Sequence, residues 1–255
     1  MMRLEKITAG YHGKPILQDV TLELSQGSLT VLIGPNGSGK STLLKTAAGL
    51  IRSMSGNVWL KDKSITQYKP REFAQMVALL PQYRGIPELT VRELAAHGRY
   101  PHLRFPRILS AEDRAIVEHA LSSVRMDTLA NRPLAELSGG ERQRAYMAML
   151  LAQEAEILLL DEPATHLDIG CQLEMLELIG ELRKQGKTIV VVMHDLGQAL
   201  SMEARLCLME QGRMTAQGCA EELLSSGAIE RAFGVRAVPL KDGQGRTQWT
   251  FERKM

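Results

Sequence analysis

Four short runs along this chain are almost wholly apolar: Leu29 to Ile33, Val77 to Leu80, Ile157 to Leu160 and Thr188 to Met193. Runs of that length, too short for helices and bounded by glycine, proline or acids, read as strands buried on both faces of a parallel sheet. Elsewhere the pattern alternates. Leu4 to Thr8 and Val20 to Leu24 read as half-buried strands, joined by a turn-rich link with Gly10, Gly13 and Pro15. Asn57 to Leu60, Ala204 to Glu210 and Met214 to Gln217 read as further strands. So do Val235 to Leu240 and Thr247 to Phe251, around the hairpin signal Asp242-Gly243-Gln244-Gly245.

Between about Glu88 and Gln153 the period changes to helical. Thr90 with Glu93 forms a capping box ahead of Val91 to His97, and Ser110 with Asp113 opens Ala111 to Val124. The latter carries Ile116, Val117, Ala120, Leu121 and Val124 on one face. Leu43 to Ala48, a short turn after Pro70, Ala145 to Gln153, Gln172 to Gln185 and Ala220 to Phe233 read as helices too. No internal repeat, low-complexity tract or linker interrupts this order, so boundaries follow the changes of pattern.

Composition narrows the class. At 255 residues, 44% apolar and 24% charged, the chain can fill a large core as one domain or two lobes. A net charge of +2 argues against a protein that coats a polyanion. Cys171, Cys207 and Cys219 are odd in number and lack metal-ligand spacing, so idle thiols in a reducing compartment are expected. Met1 to Lys6 shows no apolar leader core, and no run reaches the ~20 residues that span a bilayer. If the protein works at a membrane, another chain supplies the pore.

The chemistry centres on Gly34-Pro35-Asn36-Gly37-Ser38-Gly39-Lys40-Ser41-Thr42, set between an apolar strand and a helix. Glycines let the backbone curl with its N–H groups inward, and the helix adds its positive end, which makes an anion nest. Lys40 then reaches β- and γ-phosphates and the Ser41 hydroxyl offers a ligand to Mg²⁺. The loop alone does not separate a kinase, a GTPase and a motor ATPase.

Other residues join it. Ser138 is a natural N-cap, and Gly139 and Gly140 expose N–H groups before Glu141, making a second anion site ahead of a helix. Asp161 and Glu162 end a buried strand, where open sheets keep their ligands, and two adjacent carboxylates suit a cation and a water. Gln82 leaves a comparable strand end, and His194 closes the last apolar strand, where an imidazole can sense a γ-phosphate. Asp168 reads as a helix cap, and Tyr11 either as a loop residue or as a ring for a base to stack on. Gly98 to Arg107, basic, aromatic and proline-broken, is either a solvated loop or a docking surface. His97 and His102 have no partner at zinc-ligand spacing.

In this order the pieces resemble the nucleotide-binding subunit of ATP-binding cassette (ABC) transporters, over essentially the first 220 residues. Gly34 to Thr42 matches the Walker A loop, Ile157 to Asp161 the Walker B strand, and Leu137 to Glu141 the LSGGQ signature, with Glu141 where the best-known form has glutamine. Tyr11 falls at the adenine-stacking loop, Gln82 at the Q-loop, Asp168 at the D-loop and His194 at the switch histidine.

The resemblance implies an α/β fold: a P-loop NTPase, RecA-like core with a mostly parallel sheet, an N-terminal antiparallel β subdomain and an inserted helical subdomain. One ABC ATPase domain is implied over 1–255, with 88–153 the signature-bearing helical part and 1–87 and 154–255 the core. It further implies ATP and Mg²⁺, the metal held by Ser41, Gln82 and Asp161. Glu162 would polarise the attacking water, and His194 would orient it and the γ-phosphate. Two copies would face head to tail, each ATP lying between one Walker A loop and the partner copy's Ser138 to Glu141.

Gly98-Arg99-Tyr100-Pro101-His102 and Ala164-Thr165-His166-Leu167-Asp168 resemble the branch serving bacterial uptake of iron-siderophores, haem and cobalamin. That branch implies a peripheral subunit on the cytoplasmic face of the inner membrane. It would work with separate permease subunits and, through them, a periplasmic or lipoprotein binding protein, without nucleic acid. Another transport class, such as lipoprotein release, is an alternative. A soluble ABC ATPase acting on DNA or ribosomes is a weaker one, because the span from Thr42 to Ser138 carries no heptads.

Overall fold

Hydrophobic pattern and structure agree most closely where the sequence is least mixed. The computed structural model describes residues 1–82, 85–165, 167–241, 243 and 247–253. In chain order the elements are β1 (Met2–Tyr11), β2 (Lys14–Leu24), β3 (Leu29–Ile33), α1 (Lys40–Ala47), β4 (Ser55–Leu60), β5 (Lys63–Ser64), α2 (Pro70–Ala74) and β6 (Val77–Leu80). Then follow α3 (Val91–His97), α4 (Ala111–Ser123), α5 (Gly139–Ala152), β7 (Ile157–Asp161), α6 (Ile169–Lys184), β8 (Thr188–Val192) and α7 (Leu196–Ser201). The last are β9 (Arg205–Glu210), β10 (Arg213–Gly218), α8 (Ala220–Ser225), α9 (Ala228–Phe233), β11 (Val235–Lys241) and β12 (Thr247–Arg253). The uninterrupted apolar strands β3, β7 and β8 are buried at every residue, as strands covered on both faces must be.

Two compact units divide the chain, residues 1–65 with 188–255 and residues 66–187. The first holds an antiparallel sheet in the order β2-β1-β4-β5 and the strand series β10-β9-β3-β8, in which β3 runs parallel to both β8 and β9. The first hairpin is longer than its turn residues suggest. β1 and β2 pair from Met2 opposite Leu24 to Tyr11 opposite Lys14, leaving only His12 and Gly13 as the turn. Gly10 is therefore a strand residue, and a Cβ there would lie 2.0 Å from the Lys14 carbonyl oxygen. Pro15 is tolerated because β2 is an edge strand.

Three further expectations shift. The stretch read as one helix from Ala220 to Phe233 is two, broken where Gly227 takes φ 66°. Helix α7 was not legible in the pattern; Asp195 starts it by accepting a hydrogen bond from Gln198 N at 2.9 Å. Strands β11 and β12 pair antiparallel as the hairpin signal implies, while Asp242, Gln244 and Gly245 of that signal lie outside the described residues.

The second unit carries the parallel pair β6–β7 and helices α2 to α6. Both capping boxes form as read, Thr90 with Glu93 and Ser110 with Asp113. The loop 98–107 turns out to be partly internal. Arg99 is buried and donates to Asp113 Oδ1 at 3.0 Å, Ala152 O at 2.8 Å and Glu154 Oε2 at 2.7 Å. His102 Nε2 lies 2.9 Å from Gln153 O, and Arg71 donates to the carbonyls of Pro101 and His102. Of the residues read as docking groups, Arg99 and His102 are thus anchors, while Tyr100 and Phe105 remain on the surface, Phe105 at 95% exposure.

Candidate nucleotide site

In the first unit the glycine loop leaves β3 and enters α1. Gly34 takes φ 147°, and a Cβ on it would lie 2.1 Å from the Met209 carbonyl oxygen, so only glycine fits. Gly39 caps α1 at φ 100°, with Leu17 Cδ2 2.9 Å from where a Cβ would stand. Gly37 at φ 78° meets nothing within 4 Å, so conformation alone favours glycine there. Asn36 and Gly37 face solvent, whereas Ser38, Gly39 and Lys40 are buried.

The ammonium of Lys40 folds back inside the loop. It donates to Gly34 O at 2.7 Å, Pro35 O at 3.0 Å and Ser38 Oγ at 3.5 Å. Ser41 and Thr42 occupy the first turn of α1, half-buried and buried respectively. A fixed cation at a helix N-terminus is an arrangement that receives an oligophosphate.

Parallel pairing brings His194 to the same level. Leu32 stands opposite Val192, and Met193 N donates to Leu32 O at 3.2 Å. Gly34 and His194 therefore leave neighbouring strands at the same C-terminal edge, and His194 is exposed. Tyr11 ends β1 at the tip of the first hairpin, 41% exposed.

The second unit repeats this logic. Leu80 stands opposite Leu160 in the parallel pair β6–β7, so Gln82 and Glu162, each two residues further on, leave together. Gln82 Nε2 donates to Glu162 Oε2 at 2.6 Å, and Thr165 Oγ1 donates to the same oxygen at 3.3 Å. Asp161 is 1% and Glu162 8% exposed. Glu162 also takes φ 53°, a left-handed conformation that a side-chain-bearing residue keeps only where its surroundings hold it.

The signature stretch begins α5 earlier than Ala145. Ser138 is the N-cap and Gly139 and Gly140 already lie in the first turn. Ser138 Oγ accepts from Glu141 N at 3.3 Å, and Glu141 Oε2 accepts from Ser138 N at 2.8 Å, a reciprocal box. The hydrogen bonds from Ser138, backbone first, hold the Glu141 carboxyl below its usual range. That contribution is present above the unfolded carboxylate value and is lost as pH falls through the folded one. Ser138 and Gly139 are exposed, so the box opens onto the surface.

Asp168 caps α6 through Cys171 N at 2.9 Å, which starts that helix at Ile169 rather than Gln172 and depresses the Asp168 carboxyl. Two contacts had no signal in the sequence. Thr165 reaches Glu162, and Gln143 Nε2 on α5 donates to Pro163 O. His166, part of the stretch compared with chelate importers, lies outside the described residues. Among the described residues no three of His, Cys, Asp and Glu gather as a metal site, and His97 stacks on Tyr100 at 4.6 Å.

The family pattern of the ABC transporter matches residues 17–165, well over half of the chain. The chain belongs to that family. Members of the ABC family bind ATP and hydrolyse it to power transport. The ferric enterobactin transport ATP-binding protein FepC of Escherichia coli (strain K12) is 42% identical over 94% of this chain and 90% of its own length. The iron(3+)-hydroxamate import ATP-binding protein FhuC of Bacillus subtilis (strain 168) is 41% identical over 93% and 89%. The ATP-binding cassette MJ0796, solved as a dimer in a post-hydrolysis state bound to ADP and Pi, superposes with a TM-score of 0.75 at 26% identity, over 86% of this chain and 99% of that one. The fold is that of an ABC ATPase, with a mostly parallel core and an antiparallel N-terminal sheet. Among the described residues no helix of this ABC cassette is long and apolar enough to cross a membrane.

Proposed function

We propose that the chain is the ATP-hydrolysing subunit of a bacterial importer for an iron chelate (siderophore or haem) or cobalamin. It works as a head-to-tail pair on the cytoplasmic face of the inner membrane, under separate permease subunits served by a periplasmic or lipoprotein binding protein. The observation that carries this is that one chain holds two anion-receiving helix starts, at Lys40 and at Ser138, as well as a buried acid pair at a strand end. Identity of 42% to a ferric enterobactin transport subunit across nearly the whole chain supports the chelate branch.

In this reading residues 88–153 form the helical, signature-bearing part. The loop Gly34 to Thr42 wraps the phosphates with its N–H groups, and Lys40 neutralises them. Tyr11 offers its ring to the base. The exposed Ser138 and Gly139, followed by the half-buried Gly140, meet the γ-phosphate held by the other copy, and Asp168 contributes to the same nucleotide site. Glu162 takes a proton from the attacking water while His194 orients it against the γ-phosphate. For Mg²⁺, the Ser41 hydroxyl, the Gln82 amide oxygen and the Asp161 carboxylate are all hard oxygen donors of the kind the ion prefers. The ion would supply charge neutralisation to the phosphates. Gln82, which donates to Glu162 Oε2 at 2.6 Å, would be one of the groups that hold the ion and also restrains the base.

Glu141 places a carboxylate at an anion nest, where it opposes an incoming phosphate. Glu141→Gln keeps both halves of the box and removes the charge. ATP-driven pairing is expected to tighten roughly 2- to 5-fold, the ratio equivalent to one charge at a helix N-terminus. Sedimentation of the two forms at graded ATP measures it; unchanged or weaker pairing in the glutamine form refutes the competition.

Purification of the tagged chain from detergent-solubilised membranes tests the function itself. A co-purifying polytopic permease that takes up radiolabelled ferric chelate with ATP is the expected result. Recovery with ribosomes or nucleic acid, or with a permease for another cargo, overturns it.

A further inference from the structure

Glu162 keeps its left-handed backbone only because neighbours hold it, and one of those neighbours starts at the signature. Helix α5 begins at Ser138, and in its second turn Gln143 Nε2 donates to the carbonyl of Pro163, the residue after Glu162. Pro163 is buried and has a ring-fixed φ, so it transmits a pull on its carbonyl to Glu162 with little slack. On the far side, Thr165 N donates to Glu162 O at 3.4 Å and Thr165 Oγ1 to its carboxylate. Helix α5 is stiff over its 14 residues, and Arg144 Nη1 ties it to Glu174 of α6 at 2.9 Å. Any displacement of its first turn therefore reaches the Pro163 carbonyl.

We propose that Gln143 is a positioning residue that connects the signature of a subunit to the base of the same subunit. This rests on the head-to-tail reading above. In that pairing Ser138 faces the ATP of the partner copy, while Glu162 serves the subunit's own ATP. Engagement of γ-phosphate at Ser138 thereby sets Glu162 for the second nucleotide, and coupling runs equally in the other direction. The two sites then hydrolyse co-operatively, through a contact that touches neither nucleotide.

The test is steady-state hydrolysis by the full chain across ATP concentration, for wild type, Gln143→Met and Gln143→Lys. Methionine matches glutamine in length and lacks the donor; lysine keeps a donor that reaches the carbonyl. Wild type is expected to show a Hill coefficient above 1. In Gln143→Met the coefficient falls towards 1 and kcat drops roughly 10- to 100-fold, the cost of a misplaced base, with nucleotide affinity and melting temperature unchanged. Gln143→Lys restores cooperativity. Wild-type cooperativity in the methionine form, equal loss in both forms, or a non-cooperative wild type overturns the proposal. Gln143→Glu, which lacks the donor and repels the carbonyl, replaces methionine if that form does not fold. Failure of the head-to-tail reading is seen separately, as a Glu162→Gln chain that stays monomeric with ATP.

Discussion

Glu162→Gln is expected to lower ATP turnover by roughly 10²- to 10⁴-fold, the usual contribution of a general base, while ATP still binds. The substitution is isosteric, and Glu162 is 8% exposed in a close-packed corner, so size must be kept. Its φ of 53° is a backbone matter that glutamine shares. The amide oxygen can still accept from Gln82 and Thr165, which hold the present carboxylate. What disappears is the basic oxygen that, in the proposed mechanism, takes a proton from water. Pairs that form with ATP therefore fail to separate, and the dimer accumulates. Hydrolysis assays with size-exclusion chromatography read both effects together. Turnover near wild type would assign the base to another residue and remove the centre of the proposed mechanism.

Arg99→Leu is expected to cost about 3 kcal/mol, the low end for breaking a buried ion pair, and to lower the melting temperature on the order of 6–12 °C for a chain of this size. The lower figure applies because the partners differ in exposure. Asp113 is 12% exposed at its side chain, but Glu154 is 50% exposed and rehydrates when the guanidinium goes. Asp113 also keeps its bonds to Ser110, which hold its carboxyl below the usual range together with Arg99. The carbonyl of Ala152 loses its donor at the end of α5. Calorimetry of the two chains checks the shift. A melting temperature within experimental error of wild type would mean that Arg99 is decorative, and that its burial reflects side-chain packing alone.

Much of the candidate site was legible because its parts are local. The strand, glycine loop and helix around Lys40 are contiguous, and each glycine has a conformational reason or a steric one. The boxes at Thr90, Ser110 and Ser138 close within four residues, so their hydrogen bonds are written in the spacing. The start of the signature helix is hard to read because Gly139 and Gly140 argue against helix by propensity, whereas the Ser138 cap settles it. Gly227 hides for the opposite reason: it lies inside an otherwise helical pattern, and only its left-handed φ divides α8 from α9. The charge of loop 98–107 suggests a surface, since nothing nearby in sequence announces that Arg99 meets Glu154 55 residues on.

By itself the sequence determined the family, the burial of the central strands and the identity of the groups proposed to face phosphate, because those depend on periodicity and on residues a few positions apart. Tertiary structure decided which of them meet. Gln82 reaches Glu162 across 80 residues, Gln143 reaches Pro163, and His194 comes level with Gly34, each through strand register or helix placement. Register is a property of two distant segments packed against a shared core, and no local spacing encodes it.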